Sequence, residues 1–329
     1  MKRRLFLFLF VVIASISLAV LVSCGKADKE VKVNKNTHSK KKVGIALAVT
    51  TNPFDKAEKK SLAKSAKKNG FKAIFTDAKG KLSNQHANIE SLIAQKVSYL
   101  VVVPIKENGF KGIFYTAHEA KLPIILINRG IYGVAGRDFT ALITTDGVWE
   151  GQAAAEWLLK NIEGKINVVQ LVGTPGASVT KARTKGFRGV AKKNRRLNLL
   201  ESKVCDFSRT EAFDKTKELI EIYTQTNVKV DAIFAQNDSM ALGAIEALQE
   251  EGFKPGKDVL ILGVDGQKEA KEAIERGEMA ATISSSPYYG PIVFKNIKDL
   301  EEGKKIEPVQ TLKGKVYDKS NISELTTAF

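Results

Sequence analysis

Residues 231–248 read DAIFAQNDSMALGAIEAL, an apolar run followed directly by a stretch of helical length. Every side chain from 232 to 235 is apolar, which is typical of a strand buried on both faces of a sheet. Asp238 and Ser239 follow the run after Gln236 and Asn237, and side chains of this kind cap the first turn of a helix. The stretch therefore predicts one β-strand followed by one α-helix.

The same strand-helix unit recurs along most of the chain. Strand candidates lie at 43–49, 72–76, 99–103, 123–127, 141–145, 166–172, 231–236, 259–264 and 280–284, with a weaker one at 200–205. Helical stretches lie between them at 55–69, 84–95, 107–120, 148–161, 181–193, 210–225, 238–251 and 268–276. This alternation predicts a doubly wound α/β protein with parallel sheets. Since about ten strands is near the limit of one open sheet, we predict two sheets, divided near 145–150.

The N-terminus has the layout of an export signal. Three basic residues at 2–4 precede an apolar run at 5–22, which is also long enough for a membrane anchor helix. The run ends in LVSCG around Cys24, which resembles the bacterial lipobox. We therefore predict a lipoprotein signal over 1–24, lipid attachment at Cys24, and a flexible, lysine-rich tether over 25–42. The protein would then be exported and anchored at a bacterial membrane, facing the periplasm or the cell exterior.

The composition is basic, with a formal net charge of +16 over 329 residues. Such an excess suggests nucleic-acid binding. Many lysines, however, lie in the tether or on helix faces such as 56–70, and no aromatic-basic motif accompanies them. We therefore predict no nucleic-acid partner and a solvated basic surface, which anionic lipid would attract. Cys205 is the only cysteine besides Cys24, so we expect a buried, inert thiol there.

Signatures of catalysis and of cofactor binding are missing from the sequence. His38, His86 and His118 are isolated, without the spacing of metal ligands. The glycine-bearing segment 172–178 lacks the Lys-Ser/Thr of a P-loop, and no GxGxxG opens the first strand-helix unit. We therefore predict no metal, no cofactor and no enzymatic activity.

Polar side chains follow the strand candidates, where open parallel sheets bind their ligands. The row comprises Asn52 with Phe54, Asn128 with Arg129, Asp146, Asn237 with Asp238, and Asp265. Each position alone is weak, because Asn and Asp also form turns and cap helices. Together they predict a row of hydrogen-bonding side chains at the edge of the sheets where the strands end.

Arg183 is an unusual residue on its predicted helix. It shares one face with the apolar Phe187 and Val190. A guanidinium there needs a partner, which could be a structural carboxylate or a ligand. The sequence leaves both alternatives open.

The residue types at this edge match the chemistry of sugars. Amides, carboxylates and guanidinium groups engage hydroxyls that both donate and accept, and aromatic rings pack on sugar C–H faces. Phe54 and Phe207 are candidate platforms, although burial in the core is the commoner position for either.

From residue 43 onward the chain resembles the periplasmic sugar-binding proteins of the ribose/galactose class, the substrate receptors of ABC importers. The matching segments are AVTTNPF (48–54), PIILINRG (123–130), GTPGASVTKARTKGF (173–187), DFSRTEA (206–212), AQNDSMALGAIEAL (235–248), KPGKDVLILGVDG (254–266) and GEMAATISSSP (277–287). Segments 176–187 and 206–212 are most similar to the galactofuranose-binding branch, and 235–244 to the ribose-binding branch.

The resemblance implies a type I periplasmic binding protein, with two lobes joined by a three-segment hinge. The N-terminal lobe would comprise 43–145 plus 285–311, and the C-terminal lobe 146–284 plus 312–329. Ligand contacts would come from residues matching the family pattern: Asn52, Phe54, Arg129, Arg183, Phe207, Asn237 and Asp265. Arg183→Ala is then expected to abolish sugar binding without unfolding the protein.

Four positions depart from the family pattern. Asn128 replaces the usual Asp, Gly147 replaces a common Asn after Asp146, Ser285 replaces the glutamine of the ribose branch, and Asp55 replaces an aromatic. We keep Asn128, Asp146 and Ser285 as candidate ligand contacts. Because Asn128 also donates, where a carboxylate only accepts, it should favour a ligand that presents an acceptor there.

The resemblance implies a monomer that binds a monosaccharide by hinge closure and delivers it to the membrane permease subunits of an ABC importer. A sensor for sugar or polyol in chemotaxis or signalling would share this fold. A transcriptional regulator would need a DNA-binding helix-turn-helix where this chain has its signal and tether. An exported enzyme would need a reactive constellation, which the sequence does not offer.

Overall fold

The computed structural model describes residues 40–329. The predicted signal, Cys24 and most of the predicted tether lie outside the described residues. Within 40–329, the helices are too short or too polar to cross a membrane. All four buried apolar clusters and both sheets belong to this part, so a chain beginning at residue 25 keeps every contact described below.

The described part alternates strands and helices along its length. The strands are β1 (Lys42–Leu47), β2 (Lys72–Asp77), β3 (Tyr99–Val102), β4 (Ile124–Ile127), β5 (Ala141–Thr145), β6 (Ile166–Val172), β7 (Leu197–Val204), β8 (Ala232–Ala235), β9 (Leu260–Asp265), β10 (Ala281–Ser284), β11 (Val309–Leu312) and β12 (Val316–Asp318). The α-helices are α1 (Pro53–Lys68), α2 (Leu82–Ala94), α3 (Lys111–Glu119), α4 (Gly147–Asn161), α5 (Ser178–Ala191), α6 (Arg209–Gln225), α7 (Asp238–Glu250), α8 (Lys268–Arg276) and α9 (Gly290–Glu301). A short 3₁₀ helix spans Ile322–Glu324.

The strands form two six-stranded sheets, which define two lobes. The sheet of the first lobe has the order β11-β5-β4-β3-β1-β2, and that of the second has the order β12-β10-β9-β8-β6-β7. Among the described strands, every pairing is parallel except the antiparallel pair β10–β12. Strand order reverses beside β1 and beside β6, and such switch points are where α/β sheets bind ligands. The predicted two-lobed, doubly wound fold is confirmed.

Each sheet is buried on both faces. Ile45 and Val101 belong to one apolar cluster of the first lobe, while their neighbours Ala46 and Val102 belong to the cluster on the opposite face. Side chains alternate across a strand, so unbroken apolar runs are what such a sheet requires. This is the reason why the runs in the sequence located the central strands.

The chain passes between the lobes three times, after β5, after β10 and between β11 and β12. At the first two passages Thr145 and Ser285 meet, with 3.2 Å between their hydroxyl oxygens. The predicted lobe boundaries, residue by residue, stay predictions.

Several elements differ from the sequence predictions. Helix α3 begins at Lys111 and not at 107, because Gly109 has a φ of +100°, outside helical geometry. Strand β7 begins at Leu197 and is a half-buried edge strand, which explains its weak apolar signal. Cys205 is buried, as predicted, and burial raises its pKa to about 12.

Helices α4 and α5 approach each other unusually closely because two glycines face each other. A Cβ on Gly151 would lie 2.0 Å from the carbonyl oxygen of Arg183, and one on Gly186 would lie 1.9 Å from that of Val148. No side chain fits at either position. The close approach brings Glu150 of α4 against Arg183 of α5.

Candidate functional site

A small cavity lies between the lobes at the carboxyl ends of the strands. It has a volume of about 30 Å³ and adjoins a larger cavity of about 480 Å³, with which it shares Asn52, Arg129 and Phe207. Eight of the ten predicted ligand contacts line the small cavity, namely Asn52, Phe54, Asn128, Arg129, Arg183, Phe207, Asn237 and Asp265. The structure therefore brings together residues that are up to 213 positions apart in the sequence.

Two predicted contacts lie away from this cavity. Asp146 is exposed and caps helix α4 by accepting a hydrogen bond from the backbone N–H of Trp149 at 2.9 Å. Ser285 is buried against Thr145 where the chain passes between lobes. Conversely, Asp55 and Val179 line the cavity without having been predicted to do so.

Arg183 has structural partners and also faces the cavity. Its side chain is 5% exposed, its Nε donates to Glu150 Oε2 at 2.7 Å, and its Nη1 donates to the carbonyl of Gln236 at 2.5 Å. Its Nη2 lies 3.8 Å from Asp265 Oδ1. Burial lowers the pKa of Arg183, but the charges of Glu150 and Asp265 raise it more, so the guanidinium stays charged. The structural carboxylate that the sequence left open is therefore present, and a ligand contact of Arg183 stays a prediction.

Arg129 reaches the cavity from the first lobe. Its Nη1 donates to the carbonyl of Ile105 at 3.3 Å, and its guanidinium carbon lies 5.3 Å from the ring centroid of Phe207. Its Nε has no hydrogen-bond partner among the described residues. Burial lowers the pKa of Arg129, against the opposing effect of the carboxylates of Asp55 and Glu58. An unpaired buried donor at a cavity wall is available for a ligand oxygen.

Asp55 and Glu58 lie one turn apart on α1, and both are buried. Burial raises the pKa of Asp55 to about 6, although Arg129 pulls it down. Burial and the nearby Asp55 raise the pKa of Glu58 well above its usual range, and its Oε1 has no hydrogen-bond partner among the described residues. The first-lobe half of the site thus has two carboxyl groups for one guanidinium.

Two acidic residues of the second lobe, Asp265 and Asp238, have different structural roles. Asp265 lines the cavity, and burial raises its pKa well above the usual range. Asp238, which the sequence suggested as the cap of α7, instead accepts the backbone N–H groups of Gly266 and Gln267 at 2.8 Å each. The cap is Asn237, whose Oδ1 accepts from the N–H of Met240 at 2.9 Å. Asp238 therefore fixes the loop after β9, which carries Asp265.

Three residues that line the small cavity have positive φ angles, Asn128 with +63°, Phe207 with +60° and Asp265 with +128°. Asn tolerates the left-handed region, whereas for Phe it costs about 1–2 kcal/mol. The ring of Phe207 also lies over Gly173, where a Cβ would be 2.0 Å from its Cζ. A strained backbone and a glycine together hold this ring at the cavity, and strain of this kind is often found at functional sites.

The two lobes touch along the rim of the cleft. The N–H of Gly130 donates to Ser178 Oγ at 2.8 Å, and that of Glu107 donates to the carbonyl of Gly176 at 2.9 Å. Lys181 forms an ion pair with Glu107 and a 2.8 Å hydrogen bond to the hydroxyl of Tyr132. The cleft is thus closed over the two cavities.

Comparison with known proteins agrees with this architecture. The sequence profile described as periplasmic binding protein domain matches residues 43–305. The chain belongs to the periplasmic binding protein family. The relatives are binding proteins, which confirms the prediction that this periplasmic binding protein is not an enzyme.

Individual relatives cover most of this periplasmic binding protein. It is 33% identical to the ribose import binding protein of Bacillus subtilis (strain 168), over 82% of this chain and 85% of that protein. It is also 33% identical to the galactofuranose-binding protein of Escherichia coli (strain K12), over 80% and 83%. The crystal structure of a galactofuranose binding protein superposes with a TM-score of 0.83 and 28% identity, over 87% of this chain and 97% of the other.

Proposed function

We propose that the protein is the substrate-binding lipoprotein of an ABC importer and captures a monosaccharide in the cleft between its lobes. The observation that carries this proposal is the meeting of Arg129 from the first lobe with Arg183 and Phe207 from the second at one cavity. Guanidinium forks bind neighbouring hydroxyls, and an aromatic ring packs on the C–H face of a sugar. The relatives named for ribose and galactofuranose import or binding support the same class of ligand.

The proposed mechanism is hinge closure. A sugar bound by one lobe gains contacts from the other lobe only in the closed form, so it shifts the equilibrium towards closure. The contacts among Glu107, Lys181, Tyr132, Gly130 and Ser178 would form at the same time. The proposed lobes are 43–145 plus 285–311 and 146–284 plus 312–329, and the monomer would be tethered to the membrane through Cys24.

A thermal-shift screen tests this function. Purified protein from residue 25 onward is expected to gain about 5 °C or more in Tm with one member of a panel of pentoses, hexoses in both ring forms, inositols and polyols. Amino acids and short peptides serve as the control panel. Stabilisation by members of the control panel alone, or by no compound at all, would contradict the proposal.

Asp55→Asn is expected to change how the stability of the ligand-free protein depends on pH. The pKa of Asp55 is raised to about 6 in the folded state, so its contribution to stability is present at low pH and is lost as pH rises through 6. The difference in Tm, variant minus parent, should therefore increase from pH 4 to pH 7. Differential scanning calorimetry at several pH values measures this.

Asp138→Asn is the control for this measurement. Asp138 is partly exposed, and its hydrogen bonds with Arg137 lower its pKa to about 2, so its contribution is complete at neutral pH and is lost as pH falls below about 4. Its Tm difference from the parent should stay flat between pH 4 and pH 7. A flat difference for Asp55→Asn as well would show that Asp55 is not held in its neutral form.

A further inference from the structure

A surface groove of about 830 Å³ runs beside helix α1, away from the two cavities of the cleft. We call it the α1 groove. Its apolar lining consists of Pro53, Ala57, Tyr288, Pro291, Ala328 and Phe329. Four lysines of α1 form its wall, namely Lys56, Lys60, Lys64 and Lys68.

The four lysines form one continuous row. They are spaced four residues apart, so they stack along a single helix face about 6 Å from one another. All four are exposed, and none forms an ion pair with any residue from 40 to 329. The two acids of α1, Asp55 and Glu58, are buried inside the lobe. The wall therefore carries positive charge without ion-pair partners among the described residues, and the acids that share a pocket with it, Asp299 and Glu302, lie only at its Lys68 end.

The α1 groove is assembled from both lobes. Ala328 packs against the core of the second lobe, and the carbonyl of Phe329 accepts from the N–H of Lys268 at 2.9 Å. The ring of Phe329 instead packs edge-on against Phe54, with 5.7 Å between ring centroids, in the first lobe. Opening of the cleft would pull these contacts apart, so the complete groove belongs to the closed form.

The groove also adjoins the proposed ligand site. Pro53 lines both the α1 groove and the 480 Å³ cavity. Phe54, the next residue, lines the 30 Å³ cavity and contacts Phe329 at the groove. A ligand that moves α1 or Phe54 therefore changes the groove directly.

We propose that the α1 groove binds an acidic amphipathic helix of the importer's membrane subunit and thereby reports the closed form. This inference rests on the proposed function. A helix with carboxylates every fourth residue would face the lysine row, while its apolar side would lie on the groove floor. The concave shape favours a helix over a lipid surface, because lipid headgroups need an outward-facing plane of cations.

Photo-crosslinking with the full chain in its own cells tests this proposal. A photoreactive benzoylphenylalanine replaces Ala57, which lines the groove, or Ala63, which is exposed on the same helix outside it. Mass spectrometry is expected to identify the membrane-spanning subunit in the adduct at position 57, at a segment with Asp or Glu four residues apart. Position 63 should give little of that adduct. Equal adducts at both positions, or only lipid at position 57, would overturn the proposal.

Reversing the charge of two lysines of the α1 groove is the second test of the proposal. Lys60→Glu/Lys64→Glu is expected to reduce the adduct at position 57 about tenfold, because two attractive contacts become repulsive. Lys59→Glu/Lys67→Glu makes the same change of charge on the same helix outside the groove, and should leave the yield within about twofold. An equal loss in both variants would show that only net charge matters and would count against the groove.

The sugar-dependent rise in Tm separates this proposal from the function on which it rests. Both charge variants should keep the rise shown by the parent protein. A sugar that stabilises every variant, together with no subunit adduct at position 57, would refute the α1 groove alone. If no sugar stabilises the parent protein, the proposed function fails first.

Discussion

Arg183→Ala is expected to lower the free energy of unfolding by about 3–5 kcal/mol, because it removes one partner from a buried ion pair. The substitution would leave Glu150, 2.7 Å away in the native protein, and Asp265 buried without their counter-charge. Urea unfolding monitored by circular dichroism measures the loss. The structure thus adds a cost in stability to the expectation from the sequence, in which this variant loses sugar binding without unfolding, and that expectation stays a prediction.

The double variant Arg183→Ala/Glu150→Gln is the control. If the penalty comes from the orphaned carboxylate, neutralising Glu150 should restore about 1–3 kcal/mol of the lost stability. Lys181→Ala, an exposed lysine on the same helix, should change the stability by less than about 1 kcal/mol. A double variant no more stable than Arg183→Ala would contradict an orphaned charge at Glu150.

Phe207→Ala is expected to weaken the binding of the sugar found in the screen by about 30-fold, or about 2 kcal/mol. The ring lines both cavities of the cleft and lies 5.3 Å from the guanidinium of Arg129, so the variant removes the stacking platform and loosens that arginine. Isothermal titration calorimetry measures the change in Kd.

Phe213→Ala is the matched control for Phe207→Ala. Phe213 is a half-buried ring on α6 that lines neither cavity of the cleft. Its loss should leave the Kd unchanged within about twofold, whatever it costs in stability. Equal affinities of the two variants for the sugar would show that Phe207 is not part of the binding site.

The sequence predicted the central strands of both sheets because each is buried on two faces and therefore reads as an unbroken apolar run. Helix α9 and strands β11 and β12 were not predicted. Strands β11 and β12 are short edge strands with few fully buried side chains, so their hydrophobic pattern is weak. Helix α9, in contrast, contributes Val293, Phe294 and Ile297 to the core of the first lobe, so the sequence prediction also missed one core element.

The sequence also determined the edge at which the candidate site lies, because polar residues after parallel strands must meet at one side of the sheet. Only the tertiary structure decided which of them face the cavity. Asp146 caps its own helix and stays exposed, whereas Asp55 both completes the capping box of α1 and lies at the cavity beside Arg129. A cap and a cavity residue look alike in sequence because both are polar and begin a helix.

The pairing of Arg183 with Glu150 was likewise decided by the tertiary structure. The sequence showed that a guanidinium on an apolar face needs a partner, but its partner lies 33 residues away on another helix. That distance closes only because Gly151 and Gly186 let α4 and α5 touch. The sequence by itself fixed the fold class and the polar edge through local patterns, whereas the partner of each buried charge depended on how the packed helices meet.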